Sequence, residues 1–427
     1  MRHMRTGLGA AALLVAMLGA RSAPAQVVAI TGGTVHPVSG PPIPGGTVLI
    51  RDGRIVAVGA TVAVPADAQR IDATGKWVTP GIFNAATTLG LVEVGSVEET
   101  VDLSARGAGD GVTPSLRAWE GFNAASPLLQ VARNHGLTEV GLLPRGALVA
   151  GQAAVISLGD GSLEEVLLRG PSAMLADIGS KGRDRGASRA EVYQHLRAVL
   201  AEARDWPRRR ARYDANGSRP LAAAPAELEA LQPVLRGEIP LVIDADRASD
   251  ILVALAIGKE FGLRVALSSA AEGWQVADRI AAAKAFVLVG ALNNIPRDFA
   301  MLGARQENAA LLQRAGVQVV ISAGADAFNA RNVKYEAGVA VAYGLPWDAA
   351  LRAVTLTPAE LYGVADRVGS LQPGRDANVV VWSGDPFELS TVAEQVLVRG
   401  RAVQRPSRQD DLMRRYRVLP PDYIRRP

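Results

Sequence analysis

Short apolar runs alternate with helical stretches between residues 240 and 321, and this rhythm constrains the fold more than any other feature of the chain. The first run precedes a helical stretch at 251–261 that ends at Gly262, and the pattern repeats until the run at 317–321. Units of this kind build a parallel sheet covered by helices. An open sheet would carry a glycine-rich phosphate loop, which the sequence lacks, whereas a barrel of eight units needs about 250 residues. We therefore predict an α/β fold with a (β/α)8 TIM-like barrel over residues 80–365.

The two ends of the chain are rich in strand patterns instead. Residues 47–58 hold an Asp-Gly pair between two β-rich runs, which is the strongest short-range signal of a hairpin. Residues 395–401 repeat this pattern near the other end. Because each end is too small to fold alone, we predict that residues 26–79 and 366–405 complete one β-sandwich domain built from both chain ends.

The first residues have the composition of a secretory leader. Arg2 and Arg5 precede an apolar run at 7–20, and residues 23–25 form a small-x-small cleavage site. The apolar run is shorter than the roughly 20 residues that a membrane span requires. We predict a cleaved signal peptide over residues 1–25, export across the inner membrane to the periplasm, and no membrane span in the mature chain.

Charge and cysteine content exclude several classes of function. Three of the 46 basic residues are arginines of the leader, so the mature chain carries 43 basic residues against 42 acidic ones. This near balance removes the electrostatic basis for binding nucleic acid, and we expect no nucleic-acid partner. The chain has no cysteine, which excludes disulfides and a thiol nucleophile.

Two motifs give the chain a family resemblance. Residues 80–89 read Pro-Gly-Ile-Phe-Asn-Ala-Ala-Thr-Thr-Leu, and residues 369–378 read Gly-Ser-Leu-Gln-Pro-Gly-Arg-Asp-Ala-Asn. The first run resembles the Pro-Gly-x-x-Asp-x-His-x-His-Leu segment of the amidohydrolase superfamily, in its imidazolonepropionase-like branch. The second resembles a Pro-Gly-x-x-Ala-Asp segment of that family, with Asn378 in place of the aspartate. The resemblance extends over residues 27–405 and implies the same barrel and composite sandwich.

The resemblance also implies where a metal site would lie. Family members that hydrolyse cyclic amides or peptides hold one or two divalent metals with two histidines after strand 1, one after strand 5, one after strand 6 and an aspartate after strand 8. The metal lowers the pKa of its bound water to near 7, and the aspartate takes the proton. In this chain the histidine positions fall on Ala86, Thr88, Asp244 and Ser269. Asp326 is the candidate catalytic aspartate, provided that the loop after strand 8 is longer than in the family.

A count of histidines bears on the same question. The whole chain has four, none of which follows a predicted barrel strand: His3, His36, His135 and His195. We therefore expect no histidine-based metal centre and no cofactor. Calcium, magnesium and manganese prefer oxygen ligands, and Asp244 and Asp326 are the residual candidates for such an ion. The alternative for Asp244 is an ion pair with an arginine of the barrel.

Other catalytic constellations are missing from the sequence. It has neither a Gly-x-Ser-x-Gly elbow nor a phosphate loop of the Gly-x-x-x-x-Gly-Lys-[Ser/Thr] type. Four polar residues after strands 5 and 8 are candidates for contacts with a ligand, namely Arg247, Arg331, Asn332 and Glu336. Bracing of the barrel rim is the other role open to them.

Residues 179–221 depart from the strand and helix rhythm. This segment is polar and rich in arginine, and it contains an amphipathic stretch at 190–206. We predict a surface excursion over the barrel rim that carries one long helix. Residues 406–427 form the C-terminal tail.

Two hypotheses of function follow. In the first, the chain is an exported amidohydrolase-like protein that has lost hydrolysis and acts as a binding or partner subunit, either beside an active amidohydrolase paralogue or by self-association. In the second, it hydrolyses C–N bonds of cyclic amides or peptides, using a divalent metal at an unusual carboxylate site or no metal. Fold alone does not decide between them.

Overall fold

The computed structural model describes residues 27–104, 111–146, 148–179, 188–215, 221–324 and 326–417. The predicted signal peptide lies outside these ranges, as do parts of the predicted excursion and tail. In chain order the described strands are β1 Val27–Val35, β2 Ile43–Arg51, β3 Arg54–Gly59, β4 Gln69–Asp72, β5 Trp77–Pro80, β6 Ile82–Thr87, β7 Leu137–Leu142, β8 Val149–Ser157, β9 Leu167–Asp177, β10 Leu241–Ala245, β11 Val265–Ser269, β12 Phe286–Val289, β13 Gln318–Ile321, β14 Val379–Trp382, β15 Ala393–Val398 and β16 Arg401–Ala402.

The described helices alternate with the strands of the middle segment. They are α1 Pro127–Asn134, α2 Leu163–Val166, α3 Arg189–Asp214, α4 Pro225–Ala230, α5 Gln232–Leu235, α6 Ala248–Phe261, α7 Ala277–Ala282, α8 Asn308–Arg314, α9 Val333–Ala342, α10 Trp347–Ala353, α11 Leu356–Leu361 and α12 Arg408–Tyr416. Short 3-10 helices lie at Glu98–Thr100, Ala118–Gly121, Gly273–Val276 and Ala327–Asn332. Among the described helices, none has both the length and the apolar character that a bilayer crossing requires.

Both chain ends contribute to one sheet, which confirms the predicted β-sandwich domain. Strands β1 to β5 and β14 to β16 pair in it, and β14 lies antiparallel to β5 with Val379 opposite Pro80. The hairpin of β2 and β3 turns through Asp52 and Gly53, whose φ angles of 51° and 78° are left-handed. A two-residue hairpin turn of this kind requires positive φ at both positions, which is why the Asp-Gly pair predicts it.

The middle segment forms the barrel. Strands β6 to β13 pair in chain order in one sheet, with β6 parallel to β7 and with β9 to β13 parallel to one another. The predicted α/β barrel is therefore confirmed. Val242 packs in the barrel interior, while Leu241 and Ile243 pack against the covering helices. Because alternate residues of a strand share one face, Asp244 continues the interior row of Val242 at the carboxyl end of β10.

One strand departs from the predicted (β/α)8 pattern. Strand β8 runs antiparallel to both β7 and β9. The physical reason is the length of its connections, residues 143–148 and 158–166. A parallel return requires a crossover of a dozen or more residues, whereas an antiparallel neighbour can be reached through a short loop.

Side chains bridge the seam between the first and last barrel strands. The hydroxyl of Ser322, just after β13, lies 3.3 Å from Asn84 Oδ1 and 3.2 Å from the main-chain oxygen of Ala86, both in β6. Asn84 Nδ2 donates to the main-chain oxygen of Ala330 at 3.1 Å. Ser322, Asn84, Ala86 and Ala330 are all buried, so these hydrogen bonds satisfy polar atoms that water cannot reach.

Helix α3 lies within the segment that the sequence predicts as a surface excursion with one long helix. Ser188 caps the helix, its hydroxyl accepting a hydrogen bond from the main-chain nitrogen of Glu191, and the helix continues beyond 206 to Asp214. Its face from Val192 to Trp206 is buried in the same core as the other covering helices. Tyr193 donates a hydrogen bond to Asp250 at the start of α6. The described residues 188–215 therefore cover the barrel wall between β9 and β10, because the apolar stripe of the helix packs there.

Candidate functional site

A cavity of about 430 Å³ opens at the carboxyl ends of the barrel strands. Each strand supplies at least one residue at or beside the end that faces the cavity. In the order β6 to β13 these residues are Ala86, Leu143, Ala150, Asp177, Asp244, Ser269, Gly290 and Ser322. This end of a parallel barrel is where binding and catalytic residues lie in enzymes of this architecture, so the cavity is the candidate site.

Two aspartates form the polar centre of the cavity. Asp177 and Asp244 lie opposite each other in the parallel pairing of β9 with β10, and both line the cavity. Burial, followed by the nearby carboxyls of Asp177 and Asp246, raises the pKa of Asp244 to about 8, against a hydrogen bond from Ser268. Asp177 Oδ1 accepts a hydrogen bond from the main-chain nitrogen of Gly179 at 2.8 Å. At neutral pH Asp244 therefore favours its protonated form beside the accepting oxygen of Asp177.

The expected pairing of Asp244 with a barrel arginine takes a weaker form. Arg145, in the loop after β7, lines the cavity and lowers the pKa of Asp244 electrostatically, but less than burial and Asp177 raise it. Among the described residues, no ion pair within 4 Å joins an arginine to Asp244. The nearest carboxyl neighbour therefore shapes the chemistry of Asp244 more than any cation does.

The positions that the resemblance assigns to histidines differ in what they offer. Ala86 presents a methyl group to the cavity. Thr88 is buried and is not part of the cavity wall. Ser269 lines the cavity with a left-handed φ of 69°, and its hydroxyl donates to the carboxylate of Asp246. Of these positions, Asp244 alone presents a carboxyl group to the cavity.

The remaining predicted site residues fall into two groups. Asp326 and Glu336 line the cavity, but Asp326 is exposed. Glu336 Oε2 accepts hydrogen bonds from the main-chain nitrogens of Ala291 and Leu292, at 2.7 Å each. Arg247, Arg331 and Asn332 do not line the cavity, and their contact with a ligand stays a prediction. Arg247 precedes α6, and Asn332 Nδ2 donates to Asn329 Oδ1.

The sequence reasoning missed Asp177, Arg145 and Arg297, which all line the cavity. Asp177 ends the apolar run that forms β9, so its position just after a barrel strand was the signal that could have found it. Arg145 follows β7 in the same way. Arg297 stands in the loop after β12, where no sequence pattern indicates which side chains turn inward.

The described histidines lie away from the cavity. His36 stacks on Trp77 of the first sheet, with ring centroids 4.5 Å apart, His135 follows α1, and His195 lies in α3. Within the described ranges, no three His, Asp or Glu side chains are close enough together to hold a metal ion. The possible ligand atoms at the cavity, which belong to four carboxyl groups and serine hydroxyls, do not fit the imidazole-rich metal centre that the family resemblance implies.

Comparisons with known proteins agree with this architecture. A model of the amidohydrolase family matches residues 265–403. The amidohydrolase tasK of Hapsidospora irregularis is 25% identical over 389 residues, which cover 83% of this chain and 39% of that relative. The chain therefore spans well under half the length of this curated relative.

The solved structures give the same result for the fold. An amidohydrolase from Thermotoga maritima MSB8 superposes with a TM-score of 0.80 at 29% identity, covering 89% of this chain and 100% of the other. Molinate hydrolase, at 20% identity and a TM-score of 0.55 over 88% of this chain and 94% of its own, shares the fold. Together with the barrel, the composite sandwich and the two motifs, these matches show that the chain belongs to the amidohydrolase family.

Proposed function

We propose that this chain is an exported amidohydrolase-family protein that binds a small ligand at the barrel mouth without metal-dependent hydrolysis, as a binding or partner subunit. One observation carries the proposal. Ala86 presents a methyl group to the cavity at a position where the family resemblance expects an imidazole, while the described histidines lie elsewhere. A methyl group offers no electron pair to a metal.

The lining of the cavity supports a ligand that carries N–H groups. The Asp177 and Asp244 pair supplies acceptors on one wall, and Arg145 supplies a cation close to them. Amines and amides donate N–H hydrogen bonds, and those accepted by a carboxylate are among the stronger ones in proteins. The partner is an active amidohydrolase paralogue or a second copy of this chain; loss of hydrolysis in a family member that keeps its fold motivates this part of the proposal.

Metal content tests the proposal directly. The purified mature protein is dialysed against zinc, manganese and calcium in turn, and bound metal is measured by inductively coupled plasma mass spectrometry. We expect far less than one ion per chain, with the protein still folded by circular dichroism. Near-stoichiometric metal that is lost in Asp244→Asn would contradict the proposal.

The carboxyl pair favours a second candidate function, hydrolysis of C–N bonds in cyclic amides or peptides. Two carboxyl groups of unequal pKa can share acid and base work, since one takes a proton from water while the other donates to the leaving nitrogen. Amide and dipeptide turnover by the wild type that is lost in both Asp177→Asn and Asp244→Asn would favour this function. A divalent ion held by Asp244 and Asp326 would give the same loss in Asp326→Asn, which the carboxyl pair alone would not.

A further inference from the structure

Large apolar side chains are exposed in two loops that also contribute residues to the cavity wall. Leu292, Ile295, Phe299 and Leu302 belong to the loop after β12, and Phe328 follows β13. All five are exposed, Phe299 at 88% and Phe328 at 65% of its surface. We call these five side chains the outer rim. Monomeric proteins rarely leave several large apolar groups together in water unless the surface binds something.

The loop that carries most of the outer rim is firmly held. The carboxylate of Glu336 accepts hydrogen bonds from the main-chain nitrogens of Ala291 and Leu292, at the start of the loop. At its end, Trp274 Nε1 donates to the oxygen of Gly303 at 2.8 Å, and the nitrogen of Gly303 donates to Glu272 at the same distance. A loop tied at both ends presents its apolar side chains in fixed positions, which lowers the entropic cost of binding.

The outer rim is continuous with the cavity. Asn293, Arg297 and Met301 line the cavity and alternate along the loop with rim residues. Asn329 lines the cavity directly after Phe328. The outer rim therefore adjoins the cavity wall. The cavity of about 430 Å³ lies at the lower end of the size range of ligand pockets, so a longer ligand must extend onto this rim.

We propose that the outer rim is a second subsite of the same binding site and takes the apolar portion of an amphiphilic amine or amide. The N–H head of the ligand lies at Asp177 and Asp244, and its apolar part covers Phe299 and Phe328. The arrangement supports this orientation, because Asp177 and Asp244 lie at the ends of β9 and β10, whereas the exposed apolar groups lie in the loops that follow β12 and β13. The inference rests on the proposed function, since it requires that the cavity bind an N–H head.

A series of linear primary amines from butylamine to decylamine tests the subsite. Binding to the mature wild-type protein is measured by isothermal titration calorimetry, below the concentrations at which these amines form micelles. Each methylene that reaches the outer rim should tighten binding about twofold to fourfold, the range for partial to full burial. In the double variant Phe299→Ser/Phe328→Ser, butylamine should bind as in the wild type, and the gain from longer chains should disappear.

A matched control distinguishes binding at the subsite from non-specific binding to exposed apolar side chains. Leu389 is exposed at 79% and lies in the loop after β14, outside the cavity wall. Leu389→Ser should leave the whole amine series unchanged. Equal chain-length dependence in the wild type and the double variant would overturn the subsite. Failure of butylamine to bind to either protein would instead overturn the N–H head site on which the proposal depends.

A second copy of the chain is the competing occupant of the outer rim. Self-association is measured by sedimentation velocity of the wild type and the double variant, over a hundredfold range of concentration. We expect the same sedimentation coefficient for both proteins. A dimer that dissociates in the double variant while the amine affinities stay unchanged would show that the rim is a contact between copies and would overturn the proposal.

Discussion

Asp177 and Asp244 stand opposite each other at the ends of neighbouring parallel strands, and both face the barrel cavity. Burial of Asp244, and next to it the carboxyl group of Asp177, raises the pKa of Asp244 to about 8. The pair is the chemical centre of the site and makes binding and stability depend on pH.

The stability of the wild type should fall relative to Asp244→Asn as pH rises from 5 to 8. In this range Asp244 holds its proton in the folded state, because its pKa is about 8, but has lost it in the unfolded chain. The folded state therefore binds more protons, and each such proton costs up to about 1.4 kcal/mol of stability per pH unit. Thermal unfolding of both proteins at several pH values measures this difference. Parallel curves would contradict the raised pKa.

The contact of Glu139 with Asn378 predicts that an aspartate at position 378 destabilises the fold. Glu139 is buried in β7, burial raises its pKa to about 8, and it accepts a hydrogen bond from Asn378 Nδ2. Asn378→Asp replaces this donor with a second acid and should cost about 1–3 kcal/mol in urea unfolding. Adding Glu139→Gln to this variant supplies an N–H donor at position 139 and should recover most of the lost stability. No recovery in the double variant would argue against this contact as the cause.

The close packing around Gly81 predicts that one added methyl group there strongly reduces stability. A Cβ at Gly81 would lie 1.8 Å from Thr138 Oγ1, and Thr138 is itself buried with its hydroxyl bonded to Glu139. Gly81→Ala should therefore destabilise the protein by about 3 kcal/mol or more in urea unfolding. Gly95 has open space around its Cβ position, so Gly95→Ala is the matched control and should change stability by less than about 0.5 kcal/mol. Equal effects of the two changes would exclude the steric cause.

The buried Lys334 should make the stability of the protein change with pH in the opposite direction to Asp244. Its ammonium group donates to the main-chain oxygen of Thr391 at 2.7 Å, and burial lowers its pKa to about 8. Between pH 8 and 10 the unfolded chain holds this proton and the folded protein releases it, so the wild type should gain stability relative to Lys334→Met as pH rises. The gain is at most about 1.4 kcal/mol per pH unit. Urea unfolding of the two proteins at pH 8, 9 and 10 provides the measurement, and a constant difference between them would refute the lowered pKa.

Local sequence patterns determined most of the secondary structure of the barrel and the sandwich. The apolar run at 317–321 forms β13 with a shift of one residue at its start, Gly262 ends α6 with a left-handed φ of 68°, and the Asp-Gly pair turns the first hairpin. These features depend on neighbours within a few residues, through backbone preference and apolar periodicity. The family motifs then constrained the order of the elements.

Tertiary structure alone decided the direction of β8 and the composition of the site. Asp177 meets Asp244 only because β9 and β10 are neighbours in register, although 67 positions separate them in sequence. Ser268 rather than Ser269 bonds Asp244, since the left-handed φ of Ser269 turns its hydroxyl to Asp246. Such contacts arise from strand pairing and loop conformation across the barrel, which residue type and local spacing do not encode. The sequence by itself therefore determined the family, the fold and the absence of histidine after the barrel strands, while packing across the barrel determined which carboxyl groups face the ligand.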